Sequence, residues 1–145
     1  MYEYKCKILR IVDGDTVDVD IDLGFGIWMH RERVRMMGID TPESRTRDLT
    51  EKAFGLASKQ FVKDNLPIGS IHVLKTEIDK SGEDAKGKFG RILGDFIVDG
   101  KRLTDMLVEN GHAVAYFGGS KEEIQLKHLA NREKLIREGK VKLPE

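Results

Sequence analysis

The chain has 145 residues, with 25 Lys or Arg against 25 Asp or Glu and a formal net charge of zero. That length suits one domain, residues 1–145, whose core buries roughly two-thirds of the surface the unfolded chain exposes. Balanced charge excludes nucleic-acid binding by whole-molecule electrostatics and leaves only a local site, while the single cysteine, Cys6, excludes an internal disulfide framework and a multi-cysteine zinc site.

The segments YKCKILRIV and TVDVDIDL predict two strands joined at the corner Asp13-Gly14-Asp15, with Gly14 free to take positive φ. In the second, Val17, Val19 and Ile21 alternate with Asp18, Asp20 and Asp22, the period of a half-buried strand. Asp15 shares the parity of the apolar residues, so it is expected on the core side, where an ionised carboxylate must be paired, hydrated or metal-bound. A third strand, RERVRMMGID, sets Arg31, Arg33 and Arg35 opposite Val34 and Met36, and its faces exchange near Gly38, which predicts a bend or bulge. Asp48 and Glu51 form a capping box for a helix over 48–65 that buries Leu49, Ala53, Leu56, Ala57 and Phe61 and ends at Pro67.

SIHVLKTEI and RILGDFIV are two further strands, separated by the long polar loop DKSGEDAKGKFG, which is expected to be mobile. Asp99-Gly100 marks a tight turn, Leu103, Met106 and Leu107 a short helix stopped by Gly111, and HAVAYF an extended segment. Ser120 and Glu123 cap a charged helix running to about Gly139. Five strands with a helix inserted between the third and fourth give an α+β chain built on a small closed barrel of the oligonucleotide/oligosaccharide-binding (OB) type with three helices. No apolar run approaches a membrane span and the N-terminal segment lacks a secretory pattern. An intracellular location is therefore expected, or secretion if a signal was removed.

Asp15 and Asp40 each lie at a strand end before a threonine, in DGDT and GIDTPE. Two carboxylates sharing one site call for a cation, and oxygen ligands select a hard divalent ion, calcium or magnesium, over zinc. Arg35 and Arg91, from separate parts of the chain, have the planar forks that grip phosphate oxygens, against the plain reading of surface arginines. Glu43 has the position to act on a water near the ion, against the plain reading of a turn glutamate. His30, His72, His112 and His128 are scattered singly and read as surface or packing residues.

IVDGDTV, RMMGIDTPE and KFGRIL, in this order, resemble the staphylococcal (micrococcal) thermonuclease family over nearly the whole chain. The resemblance implies an OB barrel flanked by helices and a monomeric, calcium-dependent nuclease that hydrolyses DNA and RNA, single strands preferred. It breaks the 5′ phosphorus–oxygen bond and leaves 3′-phosphates. By the same resemblance Asp15, Asp40 and the Thr41 carbonyl hold Ca2+, Arg35, Glu43 and Arg91 are catalytic, and Lys88 and Tyr116 contact the nucleotide. Phe89 stands where the type sequence has tyrosine, a second tyrosine after Tyr116 is missing beside Phe117 and Gly118, GFGIWMHRER lengthens a hairpin, and the loop after Glu43 lacks a lysine cluster. Those changes bear on substrate length and strand preference. The competing reading is a non-catalytic OB module that binds nucleic acid; a scaffold using the basic third strand is a further one.

Overall fold

The computed structural model describes residues 2–77, 91–116 and 120–143. Lys88, Phe89, Phe117, Gly118 and the expected mobility of DKSGEDAKGKFG lie outside those residues. The elements follow in the order β1 (Glu3–Asp13), β2 (Thr16–Gly24), β3 (Ile27–Met36), β4 (Ile39–Asp40), α1 (Leu49–Asn65), β5 (Ile71–Thr76), β6 (Ile92–Val98), β7 (Lys101–Arg102), α2 (Leu103–Glu109), β8 (Val114–Ala115) and α3 (Lys121–Arg137).

Five strands run β3-β2-β1-β5-β6, and β6 then pairs parallel to β3, Val34 opposite Ile92 and Arg35 opposite Leu93, which closes the sheet into an OB barrel. Closure leaves inward and outward residues alternating along each strand. Val17, Val19 and Ile21 of β2 face a core shared with Cys6, Ile8, Val34, Met36, Leu74 and Phe96. Burial pushes the Cys6 thiol up to about 12, so the group is an inert apolar side chain. Each fully buried aliphatic or aromatic side chain contributes about 1.5–3 kcal/mol before the entropy of ordering is counted.

The barrel end that carries the acidic residues is built from irregular backbone. Register shifts between Ile8 and Arg10 and between Ile11 and Asp13 bend β1 as it approaches the corner. Gly14 is not at positive φ, contrary to the expectation from sequence; a Cβ there would lie 2.9 Å from Cβ of Ser58. The glycine serves a close approach of the corner to α1. At the end of β3 the bend falls where the change of face predicts it: Gly38 has φ 77° and β4 restarts at Ile39, which pairs with Ala115 of β8.

Asp48 caps α1 by accepting from the N–H of Thr50 and of Glu51. The buried stripe of α1 is Phe54, Gly55, Ser58 and Val62, whereas Leu49 and Leu56 are exposed. Ala53, Ala57 and Phe61 pack against the buried clusters as the spacing predicts, but the deepest positions also include small residues set against backbone: a Cβ on Gly55 would sit 2.3 Å from the carbonyl oxygen of Glu43, and Ser58 Oγ donates to the carbonyl of His112 at 2.6 Å. Hydrophobicity marks a helix face only where side chains, not backbone, make the contact.

No side chain of Arg102, the residue before α2, caps that helix. Buried Asp95 of β6 does so from outside, accepting from Thr104 N–H, Thr104 Oγ1, Phe96 N–H and Arg102 Nε. Ser120 caps α3 by accepting from the N–H of Glu123 at 3.1 Å. Only short pieces of α3 are covered, with His128 and Leu135 buried and Leu126, Leu129 and Ile136 exposed.

Candidate active site

Two clefts that share Asp13, Asp15 and Arg45 open at the irregular end of the barrel. The first, about 440 Å³, gathers Asp15, Asp40, Thr41 and Glu43 beside Asp13 and Pro42. The second, about 660 Å³, carries Arg31, Arg33, Arg35 and Arg91 with Asp18. Thus six of the eight sequence-predicted site residues, Asp15, Arg35, Asp40, Thr41, Glu43 and Arg91, line one continuous mouth.

Asp15 arrives there because the β1–β2 corner is tied to the end of β3, the Met36 N–H donating to the Asp15 carbonyl at 2.8 Å. Its carboxylate accepts from Thr16 Oγ1 at 2.8 Å and lies 3.3 Å from Arg35 Nη2. The inward aspartate is therefore paired even without an ion, as burial of a charge requires. Arg35 is fixed in turn: its guanidinium donates to the carbonyls of Met36 and Ile39 across the bend between β3 and β4. A fork held by turn carbonyls loses little freedom when it meets a phosphate. Arg91 comes in from the start of β6, which the parallel pairing sets beside β3.

Asp40 is held by backbone pairing with Val114, and its Oδ2 lies 2.7 Å from Nε2 of His128 on α3. Glu43 stands exposed at the cleft edge, and its backbone is clamped from below by the Gly55 backbone. Ser44, buried under the same loop, donates from Oγ to Asp13. Tyr116 departs from the grouping. Among the described residues it lines a separate groove of about 640 Å³ with Met37, Ile39 and Val108, and its N–H donates to the Gly38 carbonyl in the β3–β4 bend. Lys88 lies outside the described residues.

Sequence reasoning passed over Asp13, Arg45 and His128. The DGD repeat carried a signal for Asp13, since both its aspartates flank one corner. None existed for the partner of His128, which is buried and packed as expected but bonds to Asp40, 88 positions away.

The five arginines of the mouth, 31, 33, 35, 45 and 91, formally balance its five acids, 13, 15, 18, 40 and 43. Arg33 spends its charge on Asp18, with Nε 2.9 Å from Oδ1, which raises the guanidinium's pKa through that hydrogen bond. The remaining acids concentrate at one end, so a bound cation makes the mouth net positive and compatible with a phosphodiester. Among the described residues no three His, Cys, Asp or Glu side chains cluster as a metal cage. Two carboxylates and a backbone carbonyl, completed by water, suit a hard oxygen-seeking ion that keeps part of its hydration.

The fold and site define an OB barrel whose mouth sets carboxylates beside arginines. The family described as Staphylococcal nuclease homologue matches residues 33–143, more than half of the chain, and the chain belongs to that family. It is 29% identical to a thermonuclease of Staphylococcus hyicus over 79% of this chain and 61% of that protein. Identity to a thermonuclease of Staphylococcus intermedius is 30%, over 76% of this chain and 58% of that protein. Endonuclease YhcR of Bacillus subtilis (strain 168) is 29% identical over 79% of this chain but only 9% of its own length. The chain thus spans less than two-thirds of each of these relatives.

Proposed function

We propose that this chain is a calcium-dependent phosphodiesterase that hydrolyses DNA and RNA. The observation that carries the reading is the convergence of Asp15, Asp40, Thr41 and Glu43 in one cleft that opens directly onto Arg35 and Arg91. Family membership and the endonuclease and thermonuclease relatives support the same chemistry.

In this reading Asp15, Asp40 and the Thr41 carbonyl would hold Ca2+, which when bound would supply positive charge to the phosphoryl group. Glu43, at the cleft edge, orients a water and takes its proton. The water oxygen bonds to phosphorus as the bond to the 5′ oxygen breaks; the departing oxygen takes a proton from a solvent water and Glu43 returns its proton to solvent, leaving a 3′-phosphate and a 5′-hydroxyl. Arg35 and Arg91 meet the charge that builds on the phosphoryl oxygens, Arg35 already aligned by its turn carbonyls. By the family resemblance, Lys88 and Tyr116 would contact the nucleotide. Single strands are the preferred substrate, because a basic groove on an OB barrel tracks one backbone more readily than a stiff duplex.

The test is cleavage of single-stranded DNA and RNA with calcium, magnesium or EDTA, followed by end-group analysis. Calcium-dependent release of 3′-phosphates agrees with the proposal. Binding without cleavage by the intact chain would establish instead the non-catalytic OB module.

A further inference from the structure

Helix α3 reaches the acidic cleft through His128. The imidazole is about nine-tenths buried, its side chain 10% exposed, with Nε2 2.7 Å from Asp40 Oδ2, whereas the Asp40 side chain is 44% exposed and lines the cleft. Asp40 is ionised for any role as a ligand and can only accept, so the hydrogen lies on Nε2 and His128 is the donor. Backbone pairing with Val114 fixes the Asp40 main chain, but it leaves the carboxylate free to rotate. The histidine supplies the missing constraint.

Its own position is well determined. His128 lines a small cavity with Pro42, Phe54, Ser58 and Arg132, so the ring packs beneath the loop that carries Thr41 and Glu43. One helical turn on, Arg132 lies over the Phe54 ring with its guanidinium carbon 5.4 Å from the centroid, and Asn131 Nδ2 donates to the Ala113 carbonyl, next to the strand that pairs with Asp40. The helix is thereby fixed to α1 and to the segment leading into β8.

We infer that His128 is a positioning residue that holds Asp40 Oδ2 away from the ion, so that Asp40 presents one oxygen in fixed orientation, and that α3 is for this reason part of the metal site. The inference rests on Asp40 being a metal carboxylate, and on the general finding that partners which orient a ligating side chain govern metal affinity about 10–100-fold.

The experiment measures calcium affinity by isothermal titration calorimetry, with the melting temperature in EDTA alongside. It compares the parent with Asp15→Ala, Asp40→Ala, His128→Leu, His128→Ala and His128→Gln. Leucine keeps buried volume without a donor, and glutamine keeps an N–H donor of comparable reach. The expected result is a loss of about 10–100-fold in calcium affinity for His128→Leu and for His128→Ala, with most of it restored in His128→Gln, whatever each does to the calcium-free melting temperature. Asp40→Ala and Asp15→Ala should abolish measurable binding. Unchanged affinity in the two aspartate variants would overturn the metal assignment itself. Loss in those two together with parental or tighter affinity in His128→Leu would leave that assignment standing and overturn the positioning role. A glutamine variant as weak as leucine would overturn it equally.

Discussion

At the residue scale, the site works by giving each charged group a partner before any ligand arrives. Asp15 has Thr16 and Arg35, Arg35 has two turn carbonyls, and Asp40 has His128. Glu43 is exposed, so its replacement disturbs little else. Glu43→Ser is expected to lower kcat by about 10²–10⁴-fold, with the melting temperature close to that of the parent, read by steady-state kinetics and calorimetry. Arg35→Lys differs in kind. An ammonium cannot span the Met36 and Ile39 carbonyls and still present a fork, so kcat should fall about 10²–10³-fold and the melting temperature should drop as well. A lysine variant with parental stability would contradict the bridging role. Away from the site, His112 is buried against Phe61, ring centroids 4.9 Å apart, and its Nδ1 lacks a partner among the described residues. Burial, with Lys140 nearby, lowers its pKa below the ordinary 6.5. The unfolded chain therefore binds a proton that the folded chain refuses, and stability is full above pH 6.5 and falls as pH drops through that value toward the depressed one. Thermal melts from pH 8 to 5 should show that slope, and His112→Phe should flatten it.

At the element scale, the decisive contact is between α1 and the loop that carries Glu43. A glycine inside a helix costs about 1 kcal/mol relative to alanine, so by propensity alone Gly55→Ala would stabilise the protein. The added Cβ would instead meet Glu43 O at 2.3 Å and the Ser44 nitrogen at 2.6 Å, backbone atoms that cannot swing aside. Overpacking of this kind costs about 1–3 kcal/mol and should win. Urea unfolding of Gly55→Ala should show net destabilisation, and kcat should fall at least ~10-fold because Glu43 is displaced. Stabilisation with full activity would refute the contact. This contact also explains what could and could not be read from sequence. β1, β2, the caps Asp48 and Ser120 and the bend at Gly38 follow from alternation, short polar side chains and a change of face, all local signals. On α1 the periodicity located Ala53, Ala57 and Phe61 but not Gly55 and Ser58, whose contacts are against backbone, which hydropathy does not register. Asp95 as a cap for α2 joins positions nine apart through a turn, and His128 joins positions 88 apart. Such pairs become visible only when the barrel closes.

At the scale of the whole molecule, the proposed function requires a neutral chain to concentrate affinity for a polyanion in one place. The mouth does so by separating its charges, acids toward Asp40 and Glu43 and arginines toward Arg31 and Arg91. Binding should therefore involve few phosphates and depend modestly on salt. For single-stranded DNA bound to Glu43→Ser in calcium, the slope of log affinity against log salt is expected at about −2 to −4, and Arg31→Ala with Arg45→Ala together should reduce its magnitude by about 1 to 1.5, read by fluorescence anisotropy. A much steeper slope would place the binding surface elsewhere. Among the described residues no helix is long and apolar enough to cross a membrane. The most direct test of the central claim is cleavage of a labelled single strand by the purified protein with calcium or EDTA, beside Glu43→Ser. Cutting that needs calcium, stops in EDTA and is lost in the variant is the expected result; equal cutting by parent and variant, or none by either while DNA stays bound, would contradict it.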